Sequence, residues 1–456
     1  MKIVASKQNS RISALSSLEI LTIFLLTTLP FHGKSQQINN YEKNILLQLK
    51  QFWSHPPLLK QWSSAKSSDH CTWPEIACME NSVTGLNISN RDVTGKIPPF
   101  ICGLKNLIFL DFSYNYIPGT FPTGLYECSN LRYLDLSQNY FVGVIPRDVD
   151  KLFHLNFLNL EANNFTGDVP AAIGLLSELV TLKLSANLFN GSFPPEIGKL
   201  TNLEVLDFSY ASEFPPWTLP TSLFTKLTKL KNLFMMGSNL IGEIPDSTGN
   251  LTALEWLDFS SNKLSGKIPD SVFLLKNLTV VYLYTNKLSG SIPLSIKSLN
   301  MEQLDLSAND LTGTIPDDIG KLTKLSLLSL FYNNISGEIP VSIARLPLLT
   351  DIKLFNNSLS GELPQDFGRF SMLEKFQVSI NKFVGNLPDN LCYNGVLRDL
   401  SVFENNLTGE IPKSLGNCTS LEVFLASSNY FSGEISDGLW TSLNLAKLKE
   451  YLPGRI

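Results

Sequence analysis

The stretch Leu325-Ser-Leu-Leu-Ser-Leu-Phe-Tyr-Asn-Asn-Ile-Ser-Gly-Glu-Ile-Pro340 returns 24 residues later as Leu349, Ile352, Leu354, Asn357, Leu359, Gly361, Leu363 and Pro364. The same pattern, L-x-x-L-x-L-x-x-N-x-L-x-G-x-I-P, starts at positions 83, 107, 131, 155, 179, 203, 230, 254, 278, 301, 325, 349, 373, 397 and 421. One such unit cannot bury its own leucines; only stacked neighbours can. The sequence therefore predicts an α/β-type solenoid of about fifteen turns over residues 83–444, with a parallel β-sheet on its concave face.

Each column of the repeat has a physical reason. The L-x-L alternation is a strand with one buried face, and the residues between the leucines point outward. An asparagine in the ninth column (115, 139, 163, 187, 262, 286, 309, 333, 357, 381, 405 and 429) can satisfy backbone groups of adjacent turns, which must pair once removed from water. Arg91, Ala211 and Ser238 interrupt that ladder. Glycine permits a tight bend after the strand, and proline fixes the backbone beyond it. Hydrophobic content of 43% suits a packed core, and a net charge of -5 with no long basic run gives no case for nucleic acid.

The ends differ from the repeats. Residues 1–35 read as a secretory signal: Lys2, Lys7 and Arg11 precede the apolar run Ile20–Phe31, which is too short to span a membrane. No later run of about 18 apolar residues follows, so no membrane span is expected. Residues 36–82 read as an N-terminal cap. Apolar positions 45, 46, 49, 52 and 53 predict a helix over Tyr41–Trp53, stopped by Pro56 and Pro57. Residues 445–456 read as an aborted repeat with a divergent tail, Glu450 standing where a core leucine is due, which reads as truncation of a longer chain.

The six cysteines fall into three pairs. Cys71 and Cys78 would staple the cap in an oxidising compartment. Cys102 and Cys128 occupy the same relative positions on neighbouring turns as Cys392 and Cys418. Neighbouring strands lie about 4.8 Å apart, within the Cα separation a disulfide needs. Nine glycosylation sequons, at Asn87, Asn164, Asn190, Asn250, Asn277, Asn334, Asn356, Asn406 and Asn417, agree with an extracellular compartment. Asn356 falls on the expected concave strand, where a glycan would obstruct a ligand.

Catalysis finds little support. His32, His55, His70 and His154 show no metal-ligand spacing, and His70 beside two cysteines is too small a set for zinc. No metal, cofactor or catalytic residue is expected. Asp111, Asp135, Asp207, Asp258 and Asp305 form one outward column, read as one solvated aspartate per turn. Binding finds more. Two outward columns, four and six residues after each repeat start, lose their aspartates and serines in later turns. They become Phe234, Met236, Tyr282, Tyr284, Phe331, Lys353, Phe355, Gln377 and Phe403. These predict an aromatic stripe from turn seven to turn fourteen, and exposed aromatics on a rigid surface are favoured anchors for a partner.

The cap with Cys71-Thr-Trp73 and Cys78, and the G-x-I-P signature in turn after turn, resemble plant leucine-rich-repeat receptor kinases over about residues 40–445. The longer sixth turn, Phe208-Ser-Tyr-Ala-Ser-Glu-Phe-Pro-Pro-Trp-Thr-Leu-Pro220, is similar to the irregular turn of the HAESA-like group. The resemblance implies a right-handed superhelix that binds a secreted peptide on its concave face. It also implies a plasma-membrane receptor that signals through a serine/threonine kinase with a co-receptor kinase. Three departures stand against full transfer. No membrane helix is expected, and no glycine-rich phosphate loop, H-R-D or D-F-G motif of a kinase. The last turns and the second cap are absent. Where HAESA-like receptors carry an R-x-R pair for the peptide's C-terminal end, this chain has Val423 and Leu425. The expectation is a secreted, glycosylated ectodomain that binds a peptide. The alternative is a soluble inhibitor of cell-wall-degrading enzymes or another defence protein, built on the same repeat.

Overall fold

The computed structural model describes residues 40–65, 68–435 and 438–439; the expected signal segment and divergent tail lie outside them. The chain divides into two compact units between Glu196 and Ile197. The first begins with the cap. Helix α1, Asn40–Phe52, starts one residue before its expected position. It buries Ile45, Leu46 and Leu49, and Trp53 just beyond it is buried as well. Phe52, expected on that apolar face, is instead 48% exposed and meets Phe100 edge-on at 6.0 Å. Trp62 and Trp73 stack at 5.3 Å, and the Trp62 indole donates to Glu75 Oε2. The Glu42 carboxylate accepts from Ser82 Oγ and Val83 N, so the cap satisfies the start of the first repeat strand.

Beyond the cap, the antiparallel pair Ile76–Met79 and Ser82–Asn87 leads into parallel strands Phe109–Asp111, Tyr133–Asp135, Phe157–Asn159 and Thr181–Lys183. Their central residues Leu86, Leu110, Leu134, Leu158 and Leu182 stand in register. The second unit repeats the arrangement from Val205–Asp207 to Val423–Leu425, with Leu304, Leu328, Ile352, Phe376 and Leu400 as successive partners. Leu325, Leu328, Leu330, Ile335, Ile339 and Ile343 of turn eleven are all buried. The proline of the signature then caps a 3-10 turn: in Asp317–Lys321 and Val341–Arg345 the Pro316 and Pro340 carbonyls accept from the N–H three residues on.

The asparagine ladder is built as expected. Asn333 donates to Leu306 O at 3.1 Å in the preceding turn and to Leu330 O at 3.0 Å in its own, while its Oδ1 accepts from Leu311 N at 3.0 Å. The interruptions are compensated. Arg91 turns its guanidinium to Glu75 and to the Ser89 carbonyl. Ser238 donates to Phe208 O at 2.6 Å. In the long sixth turn, Ala211 is buried beside a cluster of Phe208, Phe214 and Trp217, and the Trp217 indole donates to Ser238 O at 2.8 Å.

Two features were not anticipated. Short parallel strands follow the asparagines, such as Tyr140–Val144 in the first unit and Lys263–Lys267 and Ser358–Glu362 in the second. The repeat glycine lies inside them rather than at the bend: Gly361 has φ +79, and a Cβ there would sit 2.6 Å from Glu338 Cγ. The bend itself falls one residue before each asparagine, at positive φ, and non-glycine residues such as Tyr332, Asn356 and Ile380 make it.

All three disulfides form as the spacing predicts, with Cα separations of 5.6 Å for Cys71–Cys78, 4.7 Å for Cys102–Cys128 and 5.9 Å for Cys392–Cys418. The ladder gives a direct test. Asn333→Ala strands the Leu311 N–H, worth about 1–3 kcal/mol when buried without a partner, and removes one of the two amide donors to the Leu306 carbonyl, Asn309 being the other. Chemical denaturation is expected to show a loss of roughly 2–4 kcal/mol. Asn333→Ser should lose less, because Ser238 shows that a hydroxyl can serve the carbonyl half of the role.

Candidate ligand-binding face

The strands are three residues long in most turns, beginning two residues after the repeat start. Side chains alternate along them, so the positions two, four and six residues after the start all face outward. The sequence reading used the last two columns and missed the first, which carries Trp256. Its ring lies 5.4 Å from Phe234 and 6.0 Å from Tyr282, edge-on to both. Phe234 and Tyr282 are consequently only 7% and 5% exposed, and serve as the packed base of a cluster rather than as free anchors. The Tyr282 hydroxyl donates to Gln303, and the Tyr284 hydroxyl lies 3.9 Å from Met236 Sδ. Met236, Tyr284 and Trp256 form the partly exposed top.

A second cluster occupies turns eleven and twelve. Phe331 and Phe355 stack face to face at 4.4 Å, and Tyr332 meets them edge-on at 5.7 and 5.4 Å. Tyr332, at a bend position the sequence reading did not use, is 52% exposed. Turn ten separates the clusters with Gln303, Asp305 and Ser307. The continuous aromatic stripe expected from sequence is thus two clusters, with Phe403 standing apart in turn fourteen. Around Phe403 the face is polar: Gln377 donates to Asp399 at 2.7 Å, and Lys375 pairs with Asp351 at 3.0 Å. Lys353 lies half-buried between these groups and the Phe331–Phe355 pair. Val423 and Leu425 face outward on the strand Val423–Leu425, half-buried.

The aspartate column is less solvated than expected: Asp207, Asp258 and Asp305 are half-buried. Asp111 and Asp135 are buried, and in Asp111, Asp135, Asp207, Asp258 and Asp305 alike Oδ1 accepts the N–H of the residue two positions on. Each closes the exit of its strand, and Asn159 does the same for Glu161. Burial pushes the Asp258 carboxyl up to about 6, against the Ser260 hydrogen bonds, and raises Asp305 as well. In the first unit, burial and then the neighbouring Asp135 charge push Asp111 up to about 7; burial raises Asp135 too. Beside them Phe109, Tyr133 and Phe157 form a closed stack at 4.3 and 4.1 Å.

His70, Cys71 and Cys78 converge, but the cysteines are joined to each other, which leaves a single imidazole. His154 pairs with Glu178 at 3.0 Å on the surface. The expected absence of a D-F-G spelling is incorrect, because the chain carries Asp366-Phe367-Gly368. Phe367 is buried in the core, Asp366 pairs with Arg345 and Arg369, and Gly368 stands against the Asn390 carbonyl, so the D-F-G spelling serves packing. Among the sequons, Asn190, Asn250, Asn277, Asn334, Asn406 and Asn417 are exposed, while Asn87, Asn164 and Asn356 are half-buried. Asn356 sits at the bend directly after Phe355, on the rim of the second cluster.

A cysteine-stapled cap, stacked turns with an asparagine ladder and an outward face free to vary define a leucine-rich-repeat ectodomain. The chain belongs to the leucine-rich-repeat family. Residues 39–79 match the leucine rich repeat N-terminal domain, 122–235 a leucine-rich repeat region, and 253–275, 277–299, 300–322, 324–346 and 396–418 single leucine rich repeats. It is similar to the ectodomain of the Arabidopsis receptor kinase HAESA, solved with the peptide hormone IDA and the co-receptor SERK1. The two are 36% identical with a TM-score of 0.85, over 88% of this chain and 68% of that one. A TDR receptor structure is 35% identical with a TM-score of 0.76, over 79% of this chain and 62% of that one. The leucine-rich repeat protein FLOR 1 of Arabidopsis thaliana is 38% identical over 96 residues, 21% of this chain and 28% of that protein. The match thus spans little more than a quarter of that relative. No helix among the described residues is long and apolar enough to cross a membrane.

The Asp111 carboxyl makes stability depend on pH in a stated direction. Its folded pKa is raised, so its contribution is full below about pH 4 and is lost as pH rises through about 7. Asp111→Asn keeps an Oδ1 acceptor for Ser113 N and removes the buried charge. Thermal melts are expected to show the variant more stable than the parent at pH 8, by roughly 1–3 kcal/mol, and nearly equal at pH 4.

Proposed function

We propose that this chain is the extracellular ligand-binding region of a receptor of the leucine-rich-repeat kinase type, and that it takes a secreted peptide along the outward face of turns seven to fourteen. The observation that carries the reading is the departure of that face from the repeat: Trp256, Tyr284, Phe331, Tyr332, Phe355 and Phe403 present partly exposed rings on, or just beyond, strands whose exits are fixed by the ladder. Aromatic groups held rigidly lose little entropy on contact and bury large areas. Seven strand spacings of about 4.8 Å give a track near 34 Å, the length of about ten extended residues. The HAESA structure with its peptide supports the same use of the fold. Signalling requires the kinase and a co-receptor kinase in the full-length form; this stretch contributes recognition. The chain works outside the cell, released or held at the outer face of the plasma membrane, with its exposed sequons glycosylated.

The test is binding of synthetic extended peptides of about ten residues to the secreted ectodomain. Truncating Phe331, Phe355 and Phe403 together to Ala should lower affinity at least tenfold, since central aromatic anchors each contribute about 1–2 kcal/mol or more. Unchanged affinity of the triple variant overturns this use of the face.

A further inference from the structure

Among the described residues of the proposed ligand track, Lys353 is a cation with no ion-pair partner. Lys353 occupies the middle of an outward column, Asp305–Ser329–Lys353–Gln377–Ser401, in strand register. Its immediate neighbours in that column, Ser329 and Gln377, carry no charge. Lys375, one turn on, is paired with Asp351, and the Gln377 amide is committed to Asp399. Lys353 makes no ion pair and no side-chain hydrogen bond among the described residues. Its charge is felt by both Asp305 and Asp399, but it forms an ion pair with neither.

Lys353 is partly exposed on the outward face, and an ammonium with no fixed partner there can take a ligand anion as a charge-assisted hydrogen-bond acceptor. The apolar side of the position is equally defined. Phe355 is two residues along the same strand exit, stacked on Phe331, so an apolar surface adjoins the charge.

From this geometry we infer that Lys353 reads a carboxylate on the peptide, and that the residue bearing or preceding that carboxylate places an apolar side chain on the Phe331–Phe355 stack. The inference rests on the peptide-binding reading above and adds to it the charge and the register of the ligand: acidic opposite turn twelve, apolar opposite turns eleven and twelve. The carboxylate comes from an Asp or Glu side chain or from the peptide's own C-terminus. Both present the same chemistry to a lysine, which meets it as a point charge.

The experiment uses a synthetic peptide library of about ten-residue extended sequences, made as free acids and as C-terminal amides, and selected on the secreted ectodomain. The parent is expected to enrich sequences with a carboxylate next to an apolar residue. Lys353→Gln should lose the carboxylate preference, about tenfold in affinity for an enriched peptide, while still enriching apolar sequences. Lys353→Glu should turn the preference toward Lys or Arg at the same place. Loss on amidation identifies the terminal carboxylate as the source; loss on Glu→Gln or Asp→Asn in the peptide identifies the side chain. If all three proteins enrich the same sequences, or the parent enriches peptides with no carboxylate preference, the role of Lys353 is overturned and peptide binding stands. If the parent enriches no peptide, the peptide-binding reading falls, and the role of Lys353 with it.

Discussion

Every turn of this protein must pass its backbone across a sharp bend inside the core, where an unpaired N–H or C=O is expensive. The asparagine amide resolves that cost. One side chain donates to carbonyls of two turns and accepts an N–H from one, as Asn262, Asn333 and Asn405 do in the second unit. Because the amide spans turns, it fixes the register between them. Where asparagine is replaced, another group supplies part of the same service: Ser238 by its hydroxyl, Trp217 by its indole, Arg91 by its guanidinium. The outward columns are free to vary because these inward ones are not.

That division explains what could be read in advance. Core leucines, asparagines and the two disulfides between turns, Cys102–Cys128 and Cys392–Cys418, follow from one period, since each depends only on its place in a turn. The lateral strands do not follow from it. Lys263-Leu-Ser-Gly-Lys267 and Ser358-Leu-Ser-Gly-Glu362 have glycine at the centre and little strand preference. They pair because the preceding turn presents a backbone edge at the right height, which is a property of the stack and not of the segment.

The outward face was legible in part for a similar reason. Trp256 was accessible to the same period-two rule that gave Tyr282 and Tyr284, once the strand is taken to begin two residues after the repeat start. What the rule does not give is burial. Phe234 lies under Trp256, and the aspartates lie among the residues of the turns on either side, so exposure depends on pairs of turns. An outward aspartate in an isolated strand is solvated. Stacked at strand spacing beside another, as Asp111 is beside Asp135, it loses water and meets a like charge, and its carboxyl titrates near neutrality.

The same reasoning orders the candidate binding residues. A side chain contributes to recognition when the scaffold holds it rigidly and leaves a surface or a charge unsatisfied. Tyr282 is held, but its ring is covered and its hydroxyl is engaged by Gln303. Lys375 is charged and already paired. Phe331 and Phe355 are held by each other and remain partly open. Lys353 is positioned by its strand and unpaired. Residues of the last kind set what a ligand must supply, so the chemistry of turns eleven to thirteen carries more information about the partner than the aromatic count of the whole face. An aromatic stripe alone would select any apolar peptide. In the proposed site, an open stack beside a lysine without an ion-pair partner among the described residues would select for charge at one position relative to another, which would give a repetitive scaffold a preferred register for its ligand.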